Sequence, residues 1–172
     1  MTFGRPKPPQ PGTRFTAQDH SAGGAPAEKA EPTLFTRIID GEIPGDFVWK
    51  DDAVVVFLSI GPLADGHALV VPRAEVDAWT DLPADLMSHI MEVAQIVGKA
   101  QLQAFDGERI GVIIAGFEIP HTHVHVFPAT SEQEFSFANA EKDPDRDRLA
   151  ANGRTLRAAL RKAGHEATVP AD

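Results

Sequence analysis

An α+β fold built on a mostly antiparallel sheet is what this sequence predicts, and three observations predict it. Five β-prone runs occur as a set of three and a set of two, with one long helical stretch between the sets. The first two runs are separated by only Asp51-Asp52, a connection short enough for a hairpin and too short for a helical crossover. The length of 172 residues, with 42% apolar and 24% charged, suits one soluble domain with a buried core.

The elements follow in order. Residues 1–32 hold 6 of the 14 prolines and no periodic apolar run, so a disordered tail is expected there. Thr33 can cap a short helix that carries Leu34, Phe35, Ile38 and Ile39 on one side and stops at Gly41. Phe47 to Lys50 and Ala53 to Leu58 form the hairpin, although its turn lacks the usual glycine. A third strand, His67 to Val71, follows Asp65-Gly66 and ends at Pro72. From Pro83 to Phe105 the apolar positions Leu86, Ile90, Val93, Val97 and Leu102 recur at steps of mostly three and four, the period of a long helix. Arg109 to Ala115 reads as a buried strand, and His121 to Phe127 alternates strictly and reads as another. Residues 33–130 are thus the expected folded domain, and residues 131–172 an extension. In the extension a polar stretch with Phe135 and Phe137 precedes an amphipathic helix, about Asp145 to Ala163, whose Leu149, Leu156 and Leu160 share a face. That helix is expected to pack against its own domain.

Composition narrows the function classes. The absence of cysteine excludes a disulfide scaffold, a thiolate zinc finger, an iron–sulfur site and a Cys nucleophile. No apolar run approaches the ~18 residues of a membrane span, and no signal-like segment opens the chain, so a cytoplasmic protein without a membrane partner is expected. The net charge is −9, and residues 33–130 carry 5 Lys/Arg against 14 Asp/Glu. Such a surface repels a phosphate backbone, which argues against long nucleic acid while leaving room for one small anion held by local donors.

His121, His123 and His125 carry the chemistry. In a strand, residues i, i+2 and i+4 point to one face, so the three imidazoles share a surface. Chance placement of seven histidines produces this pattern in only about one chain of this length in a hundred. A tight turn at Asp65-Gly66 delivers a fourth, His67, to the start of a strand. Imidazoles donate to phosphate oxygens, and one can attack phosphorus. Zinc also accepts three histidines at ~2.0–2.1 Å, but the outer pair here is separated by about four rises of ~3.4 Å. Metal is therefore the weaker option unless His67 joins two of them.

Pro120-His-Thr-His-Val-His-Val-Phe-Pro128 resembles the signature of the histidine triad (HIT) proteins, nucleotide-binding hydrolases and transferases, with Thr122 as a mild departure. The resemblance extends over Leu34 to Pro44, Asp51-Asp52 and Gly66 to Pro72. It implies a five-stranded antiparallel sheet with one short and one long helix, and a homodimer formed by joining sheets. It further implies that His123 attacks the α-phosphorus of a purine nucleotide derivative, giving a nucleotidyl-histidine that water hydrolyses, with no metal or other cofactor. His125 and His67 resemble the phosphate contacts and His121 the supporting member. Leu34, Phe35, Ile38, Ile43 and Ile60 match the apolar purine pocket. Ile38 and Ile43 serve packing as readily as ligand contact, whereas Phe35 is favoured as pocket.

The sequence departs from the family at three places. Ser59 stands where an Asp commonly binds the ribose hydroxyls. The loop before the triad, Ile114 to Ile119, is shorter and lacks the hydroxyl donor that meets the leaving group. The cysteine pair of many bacterial members is absent, so no structural zinc is expected. Glu118 is the one ionisable side chain left in that loop and the candidate at the leaving-group site. A slow enzyme on phosphoramidates is expected, faster on good leaving groups such as an aryl ester or a polyphosphate. A nucleotide-binding module without turnover and a metal-dependent hydrolase are the alternatives.

Overall fold

Two faces of one sheet are buried here, and the side-chain alternation along its strands assigns each residue to a face. The computed structural model describes residues 31–171. The expected tail lies, through residue 30, outside the described residues. A short helix α1 (Leu34–Ile39) is followed by strands β1 (Phe47–Lys50), β2 (Val54–Leu58) and β3 (Ala68–Pro72), the long helix α2 (Ala84–Ala104), strands β4 (Arg109–Ile113) and β5 (Val124–Ala129), and helix α3 (Arg146–Lys162). The strands form one sheet in the order β1-β2-β3-β5-β4, and every neighbouring pair is antiparallel.

Val54, Val56 and Leu58 of β2, Ala68 and Val70 of β3, and Val124 and Val126 of β5 face α2 and α3, where they meet Ile90, Val93, Val97, Leu156 and Leu160. Val55 and Phe57 of β2 and Leu69 and Val71 of β3 face the other way and pack with Phe35 and Ile38 of α1. His67 and His125 fall on this second face by the same alternation, because His125 stands in register opposite Leu69. These histidines therefore lie on the α1 side of the sheet, with the long helix on the far side.

The expected start of α1 is observed: the Thr33 hydroxyl accepts from the Thr36 N–H, and Gly41 leaves the helix at φ +81°. The hairpin turn works without glycine because Asp51 replaces it chemically. Its Oδ1 accepts from the N–H groups of Ala53 (2.9 Å) and Val54 (2.7 Å), while Oδ2 accepts from Trp49 Nε1 (2.8 Å) and bonds His89 Nε2 (2.9 Å). On α2 the expected Leu102 is exposed, and Gln101 takes the inward position instead. Its amide Nε2 donates to Gly66 O (2.8 Å) and Val126 O (2.9 Å). One buried side chain thus ties the neighbour of His67 to the neighbour of His125.

Helix α3 packs on its own domain through two of the three expected leucines, Leu156 and Leu160, while Leu149 is half-buried outside that core. Asp145 caps it, accepting from the N–H groups of Asp147 and Arg148. Leu156 and Leu160 are fully buried in the α2 core, and Arg157 reaches Asp46 Oδ1 (2.6 Å) and Phe47 O (3.0 Å). Gly153 leaves room for this approach, since a side chain there would displace the Asp46 carboxylate from its place. Leu156→Ala is expected to cost about 2–5 kcal/mol of stability, the range for truncating a buried leucine in a packed core, read from the urea midpoint. A cost near zero would detach α3 from the core.

Candidate active site

Pro72 ends β3 and shapes what faces it. Pairing of β3 with β5 runs from Ala68 opposite Val126 to Val70 opposite Val124 and stops there. Pro72 has no N–H to extend the ladder, and its carbonyl instead accepts from His121 Nε2 (2.8 Å). Thr122 turns to the next loop, its N–H donating to Val76 O (2.7 Å) and its hydroxyl to Asp77 O (3.1 Å). The expected strand over His121 to Phe127 is thus corrected: β5 begins at Val124, and His121 to His123 enter it as irregular backbone. The rings still gather, with His123 and His125 centroids 4.9 Å apart and those of His67 and His125 5.2 Å apart.

The hydrogen-bond partners assign each tautomer. The Leu63 N–H donates to His67 Nδ1 (3.0 Å), which places the His67 proton on Nε2. That Nε2–H donates to His125 Nδ1 (3.1 Å), so His125 carries its own proton on Nε2. His123 Nδ1–H donates to His121 O (2.7 Å), which leaves His123 Nε2 as a lone pair. His121, having donated to Pro72 O, accepts at Nδ1 from the Thr33 hydroxyl (2.9 Å).

Burial keeps all four rings neutral. It pushes His67 down to about 3, with the neighbouring His125 adding to the effect, and His125 down to about 4, with His123 adding. Burial also lowers His121 and His123 from the ordinary histidine value. A neutral His123 with a free Nε2 is a nucleophile, and the His125 Nε2–H beside it is a donor for an oxyanion.

The structure separates the sequence-predicted residues. His67, expected as a phosphate contact, is 2% exposed, and both its ring nitrogens are engaged, by the Leu63 N–H and by His125 Nδ1. His121 is fully buried and latches α1 to the triad through Thr33. Phe35 stands edge-on to His123, 4.9 Å between centroids, with Phe57 at 5.5 Å behind it. Ile38 and the half-buried Ile43 join this cluster. Leu34 is 43% exposed, and Ile60, at 85%, stands on the surface outside the cluster. The Ser59 hydroxyl accepts from the Gly61 N–H (3.2 Å). Glu118 lies on the surface of its loop.

Three features escaped the sequence. Phe137, from the extension, covers the His125 ring at 4.7 Å. Thr33 and Thr36 both bond Glu75, which anchors α1 to the loop after β3. A cavity of about 260 Å³ opens beside His123, lined by Asp77, Trp79, Ile114, Phe117 and Thr122. The pair Phe135 and Phe137 in an otherwise polar stretch was a signal for the first. Trp79, by contrast, sits in an aperiodic segment that carries none.

The donor set does not fit the metal alternative. Of the ring nitrogens of His67, His121, His123 and His125, six are engaged, and the His125 Nε2 carries a proton. Among the described residues no group of three or more His, Cys, Asp or Glu side chains could hold a metal ion.

Comparison with known proteins places this geometry. The family model described as "HIT domain" matches residues 40–132. A purine nucleoside phosphoramidase of Escherichia coli is 33% identical over 103 residues, 56% of this chain and 87% of that protein. A HIT-like protein of Methanocaldococcus jannaschii, described as uncharacterized, is 37% identical over 99 residues, 55% of this chain and 77% of its own. The crystal structure of a Zn-bound histidine triad family protein from Mycobacterium smegmatis superposes with a TM-score of 0.66 at 27% identity, covering 77% of this chain and 96% of that one. The resemblance carried by Pro120 to Pro128 is thus a membership, and the chain belongs to the HIT family.

Proposed function

We propose that this protein is a nucleotidyl hydrolase or transferase that acts at the α-phosphate of a purine nucleotide derivative. The observation that carries the reading is the pairing of one free lone pair, on His123 Nε2, with the protonated Nε2 of His125 beside it. His123 Nε2 attacks phosphorus, and the N–P bond forms as the bond to the leaving group breaks. The leaving group takes the electron pair and acquires a proton from solvent. Water then adds to phosphorus, the N–P bond breaks, and a nucleoside 5′-monophosphate leaves with His123 restored. The His121 carbonyl, 2.7 Å from Nδ1, stabilises the positive imidazole ring of the intermediate. The His125 Nε2–H meets the charge on the phosphoryl oxygens, and Phe35 offers the purine an apolar surface that ends at the nucleophile.

The hydrolase activity of the Escherichia coli relative supports the class of substrate. A homodimer is part of the reading. β4 is an edge strand whose Val112 is exposed, and an edge of this kind can extend a sheet across two copies. Among the described residues no helix is long and apolar enough to cross a membrane. Incubation with adenosine 5′-phosphoramidate followed by intact mass tests the reading: a nucleotidyl adduct or released adenosine monophosphate is expected. Binding without either outcome would make the protein a nucleotide-binding module.

A further inference from the structure

The cavity beside His123 has two aromatic walls that the nucleotide side of the site does not use. Trp79 lies in a single 3₁₀ turn, Trp79–Asp81, and is 47% exposed; Phe117, at the tip of the loop between β4 and the triad, is 96% exposed. The cavity reaches the site through His123 alone, since neither Phe35, His67 nor His125 lines it. Its position is held by the residue that precedes the nucleophile. The two bonds of Thr122, to Val76 O and Asp77 O, fix the Trp79 wall relative to His123. This gives the departure at Thr122 a reason, because an apolar residue there would lose the hydroxyl bond.

We infer that this cavity receives the non-nucleotide half of the substrate and selects a flat aromatic group, neutral or cationic, over a phosphate chain. The inference rests on the nucleotidyl-histidine reading and specifies its leaving group. With the purine against Phe35 and phosphorus at His123 Nε2, the departing atom lies beyond phosphorus. A ring on a short flexible arm can then turn between the 77–80 and 114–117 segments, where Trp79 and Phe117 offer π-faces. The same space disfavours anions: Asp77 lines it, Glu118 follows Phe117, and no Lys or Arg lines it. A polyphosphate leaving group would place its charges against the Asp77 carboxylate with no cation in the lining, which separates two groups that the sequence ranked together.

The test uses adenosine 5′-phosphoramidates of phenethylamine and methylamine, both primary alkylamines, together with diadenosine tetraphosphate. Wild type is expected to favour the phenethylamine derivative over the methylamine one in kcat/KM by about 10- to 100-fold, the range that burial of one aromatic group supplies. Trp79→Ala and Phe117→Ala are each expected to cut that ratio by about tenfold. Phe117, being almost wholly exposed, can be replaced without disturbing the core. A wild-type ratio near one, a ratio unchanged in both variants, or faster turnover of the tetraphosphate overturns the inference. So does a change of oligomeric state in Phe117→Ala with the ratio intact, which assigns that ring to a subunit contact. If wild type turns over neither phosphoramidate, the nucleophile reading fails. Calorimetric affinities of the same pair for His123→Ala, with and without Trp79→Ala, then decide the subsite separately.

Discussion

Replacing His123 by alanine is expected to abolish adduct formation and to lower kcat by more than the ~10²–10³-fold that follows removal of a single transition-state donor. The reason lies in the lone pairs. His67, His121 and His125 have their acceptor nitrogens engaged by Leu63, Thr33 and His67 respectively, so no neighbouring imidazole can substitute as the attacking group. Nucleotide affinity should be largely retained, because Phe35 and the His125 Nε2–H remain in place, and the loss should therefore appear in kcat rather than KM. Single-turnover kinetics with intact mass and calorimetric binding measure the two quantities independently. Undiminished turnover in the variant would remove His123 from the mechanism.

Acidification from pH 7 toward pH 5 is expected to destabilise the fold well before the carboxylates titrate. Unfolded histidine takes up a proton near pH 6.5, whereas native His67 and His125 hold out to about 3 and about 4. Between those limits the unfolded chain binds more protons than the native one, so stability rises with pH and falls as pH drops through 6.5. Each ring contributes on the order of 1 kcal/mol per pH unit across that window. The effect requires His67 to remain neutral, and the structure leaves it no alternative. A proton on His67 Nδ1 would face the Leu63 N–H, donor against donor, inside the fold. Urea midpoints from pH 7.5 down to 5 read this directly, and a flat profile would mean that native His67 accepts the proton.

Much of the architecture was legible because local periodicity dictates it. Thr33 before an apolar run, the three- and four-residue steps from Leu86 to Val97, and the unbroken β-prone run that became β2 each specify an element without reference to the rest of the chain. The triad was legible for the same reason: alternate residues share a face, whichever face that proves to be. Less was legible where one segment answers another distant in sequence. Strict alternation from His121 to Phe127 reads as seven residues of strand, yet pairing ends at Val124 because Pro72, some fifty residues earlier, offers no amide. The missing turn glycine was visible, but not that Asp51 would accept from four groups in its place.

The sequence by itself determined the fold class, the order of the elements, most of the buried face of α2 and the histidine pattern of the family, since each rests on spacing along the chain. Only the tertiary structure decided what each histidine does. His67, His121, His123 and His125 are chemically identical side chains, and no spacing rule says which nitrogen keeps its lone pair. At His121 and His125 that is settled by a carbonyl at Pro72, a hydroxyl at Thr33 and the His67 ring, brought to them by three different segments. The tautomer of an imidazole is set by its partners, and partners as distant in sequence as those of His121 and His125 are juxtaposed only once the sheet has formed.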